Sequence, residues 1–241
     1  RIRVNSGVPF RGYMSSRPPR YRTGAITMQD FNRRTLLSGM AAGLAATSGC
    51  LEALTGSGPL TFSSEPARVE EAVLEKTGYQ LSNTESPTVS REFTVAGQTR
   101  SVEVTNHLAL YEKSVDLGPM GEQRAGVFGV FTTPQVDIVG QTLNPISRFS
   151  DRDLLRRFLS RFQGLSVGKQ QGSETVSTLG KSVTVDRYTG TATIQGQELD
   201  IFVHLARFKH DEDIIVAVGG YPKKLPGEGE DILAMVGGLT H

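Results

Sequence analysis

The chain's 241 residues allow one large or two small domains, and its single cysteine excludes an intrachain disulfide. The formal net charge of +1 is unevenly spread: residues 1–49 hold eight of the 26 Lys and Arg and one of the 25 Asp and Glu, so the remainder carries 18 against 24, a net charge of −6. A mildly acidic body lacks the cationic surplus that phosphate neutralisation requires, which excludes nucleic acid from the expected partners.

Residues 1–27 are rich in Arg, Pro and Ser and show no apolar periodicity. They read as an over-extended reading frame ahead of a native start at Met28, or as a disordered extension. From Asn32 to Cys50 the sequence is NRRTLLSGMAAGLAATSGC. Arg33 and Arg34 precede an uncharged Ala/Gly/Leu run, Leu36 to Gly49. That run is shorter than the roughly 20 apolar residues of a spanning helix and fits a signal h-region. A twin-arginine pair ahead of such a run is a Tat export address. Thr47, Ser48 and Gly49 then lead to Cys50, where a lipoprotein signal is cut and the sulfur takes the lipid. Two other readings stay open: an uncleaved anchor helix from Leu36 to Leu54, or a protein that is not exported and has an ordinary buried cysteine.

The stretch resembles the N-termini of haloarchaeal twin-arginine (Tat) lipoproteins, and the chain from Met28 resembles an uncharacterised family of such proteins, with a domain of unknown function. The resemblance implies a signal peptide over 28–49, a lipidated tether over 50–63 and one globular domain over 64–241. It implies passing contact with the Tat machinery, then residence on the outer face of the cell membrane through a lipid on Cys50.

Leu51–Ser63 is Gly/Ser/Thr-rich, as a flexible tether would be. A helix is expected next, capped by Ser64, with Pro66 in its first turn and Gly78 as its stop. Arg91–Lys113 alternates as two strands broken at Gly97-Gln98. Ser114–Ala125 reads as a loop, and GVFGVF, Gly126–Phe131, as a central strand apolar on both faces. Pro134–Phe149 is irregular. Ser150 and Asp153 form a capping-box-like start to a helix over Asp151–Gln163, with Leu154, Leu155, Phe158, Leu159 and Phe162 on its apolar face and Gly164 at its end. Ser182–Ile194, Glu198–Lys209 and Ile214–Val218 read as strands, and Glu228–Val236 as a last helix. The pattern predicts an α+β fold, an antiparallel sheet of roughly six to eight strands packed by two or three helices.

Three segment pairs suggest a duplicated strand–strand–strand–helix unit over 91–163 and 182–241. TVAGQ at 94–98 matches TIQGQ at 193–197, HLALY at 107–111 matches HLARF at 204–208, and GVFGVFTTP at 126–134 matches IIVAVGGYP at 214–222. Repetition predicts the helices 151–163 and 228–236 on the same side of the sheet. Convergent strand composition is the alternative.

Motifs for chemistry are scarce. No G-x-S-x-G elbow and no P-loop occur. His107 and His204 occupy matched positions, but His204 shares a strand face with Phe202, Ala206 and Phe208, which fits a buried, hydrogen-bonded ring better than a ligand. His210 with Asp211, Glu212 and Asp213 reads as a solvated hairpin turn, since the Gly and distant Glu of a calcium loop are missing. No metal and no cofactor are expected. Arg148, Arg152, Arg156, Arg157 and Arg161 could face anionic headgroups, though a solvated outer face is the simpler reading. The sequence thus favours an exported, lipid-anchored, non-catalytic binding or envelope-associated module. The alternative is a small-ligand-binding lipoprotein with an apolar pocket on the sheet, lined by Phe128, Phe202, His204 and Phe208. A hydrolase or metal-dependent enzyme ranks last.

Overall fold

The computed structural model describes residues 58–241 apart from 96–97, 117–121, 139–140, 143, 161–163 and 195–196. Its centre is a seven-stranded sheet. In chain order the strands that build it are β3 (Gln80–Glu85), β6 (His107–Asp116), β7 (Glu122–Pro134), β10 (Leu165–Thr178), β11 (Lys181–Ile194), β12 (Gln197–His210) and β13 (Asp213–Pro222). They lie in the order β10-β11-β12-β13-β7-β6-β3, and every pairing is antiparallel. The expected α+β class is therefore the observed one.

The two strands read as apolar on both faces, β7 and β13, sit side by side inside the sheet, with Val130 opposite Ala217. Both faces of β13 are buried, because helices cover both sides. Helices α1 (Glu71–Thr77) and α3 (Glu228–Gly237) pack on one face. There Ile232, Met235 and Val236 meet Ala109, Tyr111, Phe128, Val130, Val185, Ile215 and Ala217. Helix α2 (Asp151–Leu159) packs on the other, setting Leu154, Leu155 and Leu159 against Ile201, Val203, Leu205, Val216 and Val218. Among the described residues no helix is long and apolar enough to cross a membrane.

The caps follow local chemistry. The Ser150 hydroxyl accepts from the Asp153 amide at 3.2 Å, the N-cap half of the capping-box-like start read from the sequence, and donates to the Asp153 carboxylate at 2.7 Å. Gly78 ends α1 with φ 76, a left-handed conformation that glycine adopts without a Cβ penalty. The expected helix over 151–163 runs to Leu159, and 161–163 lie outside the described residues.

Several expectations are corrected. The stretch expected as a flexible tether over 50–63 is ordered at its end: β1 (Leu60–Ser63) pairs in parallel with β5 (Gln98–Thr105), which pairs antiparallel with β4 (Thr88–Val95). The helix expected from Ser64 starts at Glu71, because tertiary bonds take the backbone of its first turns. The Glu65 amide donates to Asp213 Oδ2 at 2.7 Å, the Val69 amide donates to the Tyr111 hydroxyl at 3.0 Å, and β2 (Arg68–Val69) pairs with β14 (Leu239–Thr240). The irregular 134–149 segment holds a small ribbon, β8 (Asp137–Ile138) with β9 (Gln141–Thr142), and a 3-10 turn at Pro145–Arg148. Strands β3 and β10 were not expected at all.

The duplication also fails where it makes a three-dimensional claim. Leu108 on β6 and Leu205 on β12 do share the α2 face, on strands flanking the central pair. Yet Phe128 packs in the α1–α3 layer while its matched residue Val216 packs beneath α2. The two late helices themselves lie on opposite faces. Arg207 explains part of this. Its guanidinium donates to the Phe149 carbonyl at 2.7 Å and pairs with Asp151 at 2.9 Å, drawing the start of α2 onto the face where β12 presents that side chain. The short matches are therefore shared strand composition.

Candidate functional site

Arg33, Arg34 and Cys50 lie outside the described residues. The proposed pocket side chains are all described. Phe128, Phe202, His204 and Phe208 project from the same face of the sheet, the one covered by α1 and α3. None of them lines either of the two clefts described below. Phe128 is fully buried, with its ring centroid 6.2 Å from that of Tyr111. Phe208 is partly buried against the same core. Phe202 has two cations over its ring, Arg187 at 5.2 Å and Lys223 at 5.3 Å from its centre.

His204 is the buried, hydrogen-bonded ring that strand alternation suggested. It is 2% exposed, and Nε2 lies 3.1 Å from the Tyr221 hydroxyl. Its Nδ1 is buried without a protein partner among the described residues. Burial first, and then the Arg187 charge, lower its pKa from the ordinary value to about 4, so the ring is neutral near pH 7. His107 is not its neighbour: β7 and β13 separate their strands, and His107 Nδ1 instead lies 2.9 Å from the Ser86 hydroxyl at the surface.

A charged network sits beneath α3. Lys113 Nζ is 2.6 Å from Glu228 and 2.8 Å from Asp231, and the Tyr79 hydroxyl donates to Glu228 at 3.2 Å. Burial and then the Glu228 charge push the Tyr79 hydroxyl well above its ordinary range. Burial opposes the Lys113 charge, but the bonds to Asp231 and Glu228 outweigh it and raise its pKa. These groups satisfy one another, which suits a strut between helix and sheet.

Two small clefts stand out. An apolar cleft of about 60 Å³ lies on the α2 face among Phe158, Leu159, Leu165, Ile201, Val203 and Val218. A polar cavity of about 120 Å³ lies near the start of α2 among Asp151, Thr184, Asp186 and Arg207. Burial first, then the Asp151 charge, raise the Asp186 carboxyl, while Gln170 donates to it at 2.9 Å. The arginines expected to form one basic face are put to local use in part: Arg157 stacks 4.1 Å over the Phe149 ring and Arg156 pairs with Asp153 at 3.5 Å, while Arg161 lies outside the described residues.

At the far end of β12 and β13, the expected solvated turn gains a member from far along the chain. His210 Nδ1 lies 2.9 Å from His241 Nδ1, and His241 Nε2 lies 3.0 Å from Asp213 Oδ2. Asp213 is 5% exposed, so it is part of the interior and not of a solvated turn. Sequence reading missed this because His241 is 31 residues from His210 and carries no local motif.

These features define an α+β domain, a seven-stranded antiparallel sheet between unequal helical layers, with compact polar clusters. Residues 66–240 match the model of DUF6517, a domain of unknown function, and the chain belongs to that family. No curated protein matches the chain.

Proposed function

We propose that this is an exported lipoprotein of the haloarchaeal twin-arginine type, held on the outer face of the cell membrane by a lipid on Cys50. Its domain acts as a non-catalytic module that binds a macromolecular partner at the cell envelope. One observation carries the reading: the family match begins at residue 66, so Arg33-Arg34, the Ala/Gly/Leu run and Cys50 all lie ahead of the shared domain. An address and an anchor preceding a folded domain is the order that export and tethering need. Two clefts of the domain hold about 60 and 120 Å³, below the roughly 300–1,000 Å³ usual for ligand pockets.

The test is fractionation of the native host. Cys50→Ser is expected to move the protein from membranes to the soluble or medium fraction and to remove the lipid mass. Arg33→Lys combined with Arg34→Lys is expected to leave it inside the cell. A Cys50→Ser protein that stays on membranes with unchanged mass defeats the anchor. Unaltered secretion of the double lysine variant defeats the export route.

A further inference from the structure

We propose that His210, His241 and Asp211 form a binding site for a divalent transition-metal ion of the zinc class. The argument begins with Asp213. Its Oδ2 accepts the Glu65 amide at 2.7 Å and lies 3.0 Å from His241 Nε2. An ionised carboxylate only accepts, so His241 Nε2 carries the proton in that bond. In the neutral ring this leaves the Nδ1 lone pair free, and it points at His210 Nδ1, 2.9 Å away. A histidine whose far nitrogen is held by a carboxylate while the near one offers its lone pair is the arrangement that metal-ligating histidines adopt.

The remaining donors fit. Asp211 Oδ2 is 3.5 Å from His210 Nδ1, and the three ligand atoms lie within 4.8 Å of one another. Tetrahedral zinc with bonds of about 2.0–2.1 Å to nitrogen separates two nitrogens by about 3.3 Å. The two rings therefore need to part by only a few tenths of an ångström. Asp211 is 81% exposed and can swing its carboxylate inward. Two imidazoles and one carboxylate suit zinc and its first-row neighbours, with water completing the shell. To ligate through Nδ1, the neutral His210 ring carries its proton on Nε2.

The site joins the β12–β13 turn to the residue that follows β14, and through Asp213 to the segment entering the domain at Glu65. A bound ion acts there as a clasp. This inference does not depend on the lipoprotein reading, and its test uses the purified full chain in solution. After chelator treatment, calorimetric titration with Zn²⁺ is expected to give saturable binding at one ion per chain. Co²⁺ is expected to give the visible absorption of a tetrahedral site, and Zn²⁺ to raise the melting temperature. His210→Gln and His241→Gln are each expected to weaken binding by about tenfold or more, and Asp213→Asn by about 10–100-fold as a positioning residue. Wild-type NMR covers the case of a variant that misfolds: Zn²⁺ should shift the ring signals of His210 and His241 and leave those of His107 and His204 in place. No saturable binding, binding unchanged in the His210→Gln and His241→Gln double variant, or shifts confined to the other two histidines would each overturn the proposal.

Discussion

His204 links burial to acid sensitivity. Its folded pKa of about 4 lies below the ordinary histidine value of 6.5. The unfolded chain therefore binds the proton more readily. The stability this residue contributes is fully present above pH 6.5 and is lost as pH falls towards 4. Over that window the loss is about 3 kcal/mol. His204→Gln keeps a donor for Tyr221 and removes the titration. The stability gap between wild type and variant should therefore shrink between pH 7 and pH 4.5 in denaturant melts. Parallel losses in the two proteins would show that His204 is not the group responsible. The Lys113 network makes a second case. Tyr79→Phe removes one hydrogen bond to Glu228 and is expected to cost about 1 kcal/mol. Lys113→Met strands the 6%-exposed Glu228 carboxylate and is expected to cost about 3–5 kcal/mol. Equal losses would mean that Glu228 is not relying on the lysine. His204 was legible in the sequence because its neighbours two residues away on either side, Phe202 and Ala206, are apolar. Glu228 was not: an acid at a helix start reads as favourable to the helix dipole whether or not it is buried.

The elements were legible in proportion to how much of their surface the core takes. Strands β7, β12 and β13 and helix α2 carry apolar patterns of the right period. Strands β3 and β10 are the sheet's edges, and QLSNTE and the KQQGSET stretch of β10 offer almost nothing to alternate. β10 also breaks register with β11 between Val167 and Gly172, which spoils any simple period. Such polar, bulged edges resist further strand addition. The seating of α2 was equally hidden, because it depends on a missing side chain. A Cβ at Gly129 would come within 2.4 Å of the Phe158 ring, so only glycine lets α2 settle this closely on β7. Gly129→Ala should therefore destabilise the fold by about 1–3 kcal/mol through overpacking. Phe158→Leu made on that background should cost less than Phe158→Leu alone, as a double-mutant cycle by chemical denaturation can measure. Strict additivity would mean that the two positions do not compete for space.

The domain as a whole is closed by residues at its entrance. β1 adds Leu60 and Phe62 along β5, and the Ser64 amide continues that pairing to the Thr105 carbonyl at 3.1 Å. The Ser64 hydroxyl lies 3.3 Å from that of Thr132, and Thr132 donates to the Glu65 carbonyl at 2.7 Å. The Glu65 amide then caps Asp213. This closure was not legible in the sequence, because a Gly/Ser/Thr-rich approach followed by Ser-x-Pro reads as tether and helix cap. The family match at residue 66 likewise begins after these contacts. Two chains can separate the boundaries, one starting at Gly58 and one at Pro66. The shorter loses β1, the four hydrogen bonds just named and two half-buried apolar side chains, a difference of about 3 kcal/mol. For a domain of this size that corresponds to a melting temperature lower by roughly 6–12 °C. It should also lose part of the order around His241, because Asp213 no longer has the Glu65 amide and holds the ring less firmly. Scanning calorimetry reads the first effect, and the NMR line widths of the His241 ring read the second. Matching melting temperatures for the two chains would place the working edge of the domain at residue 66 and leave β1 outside it.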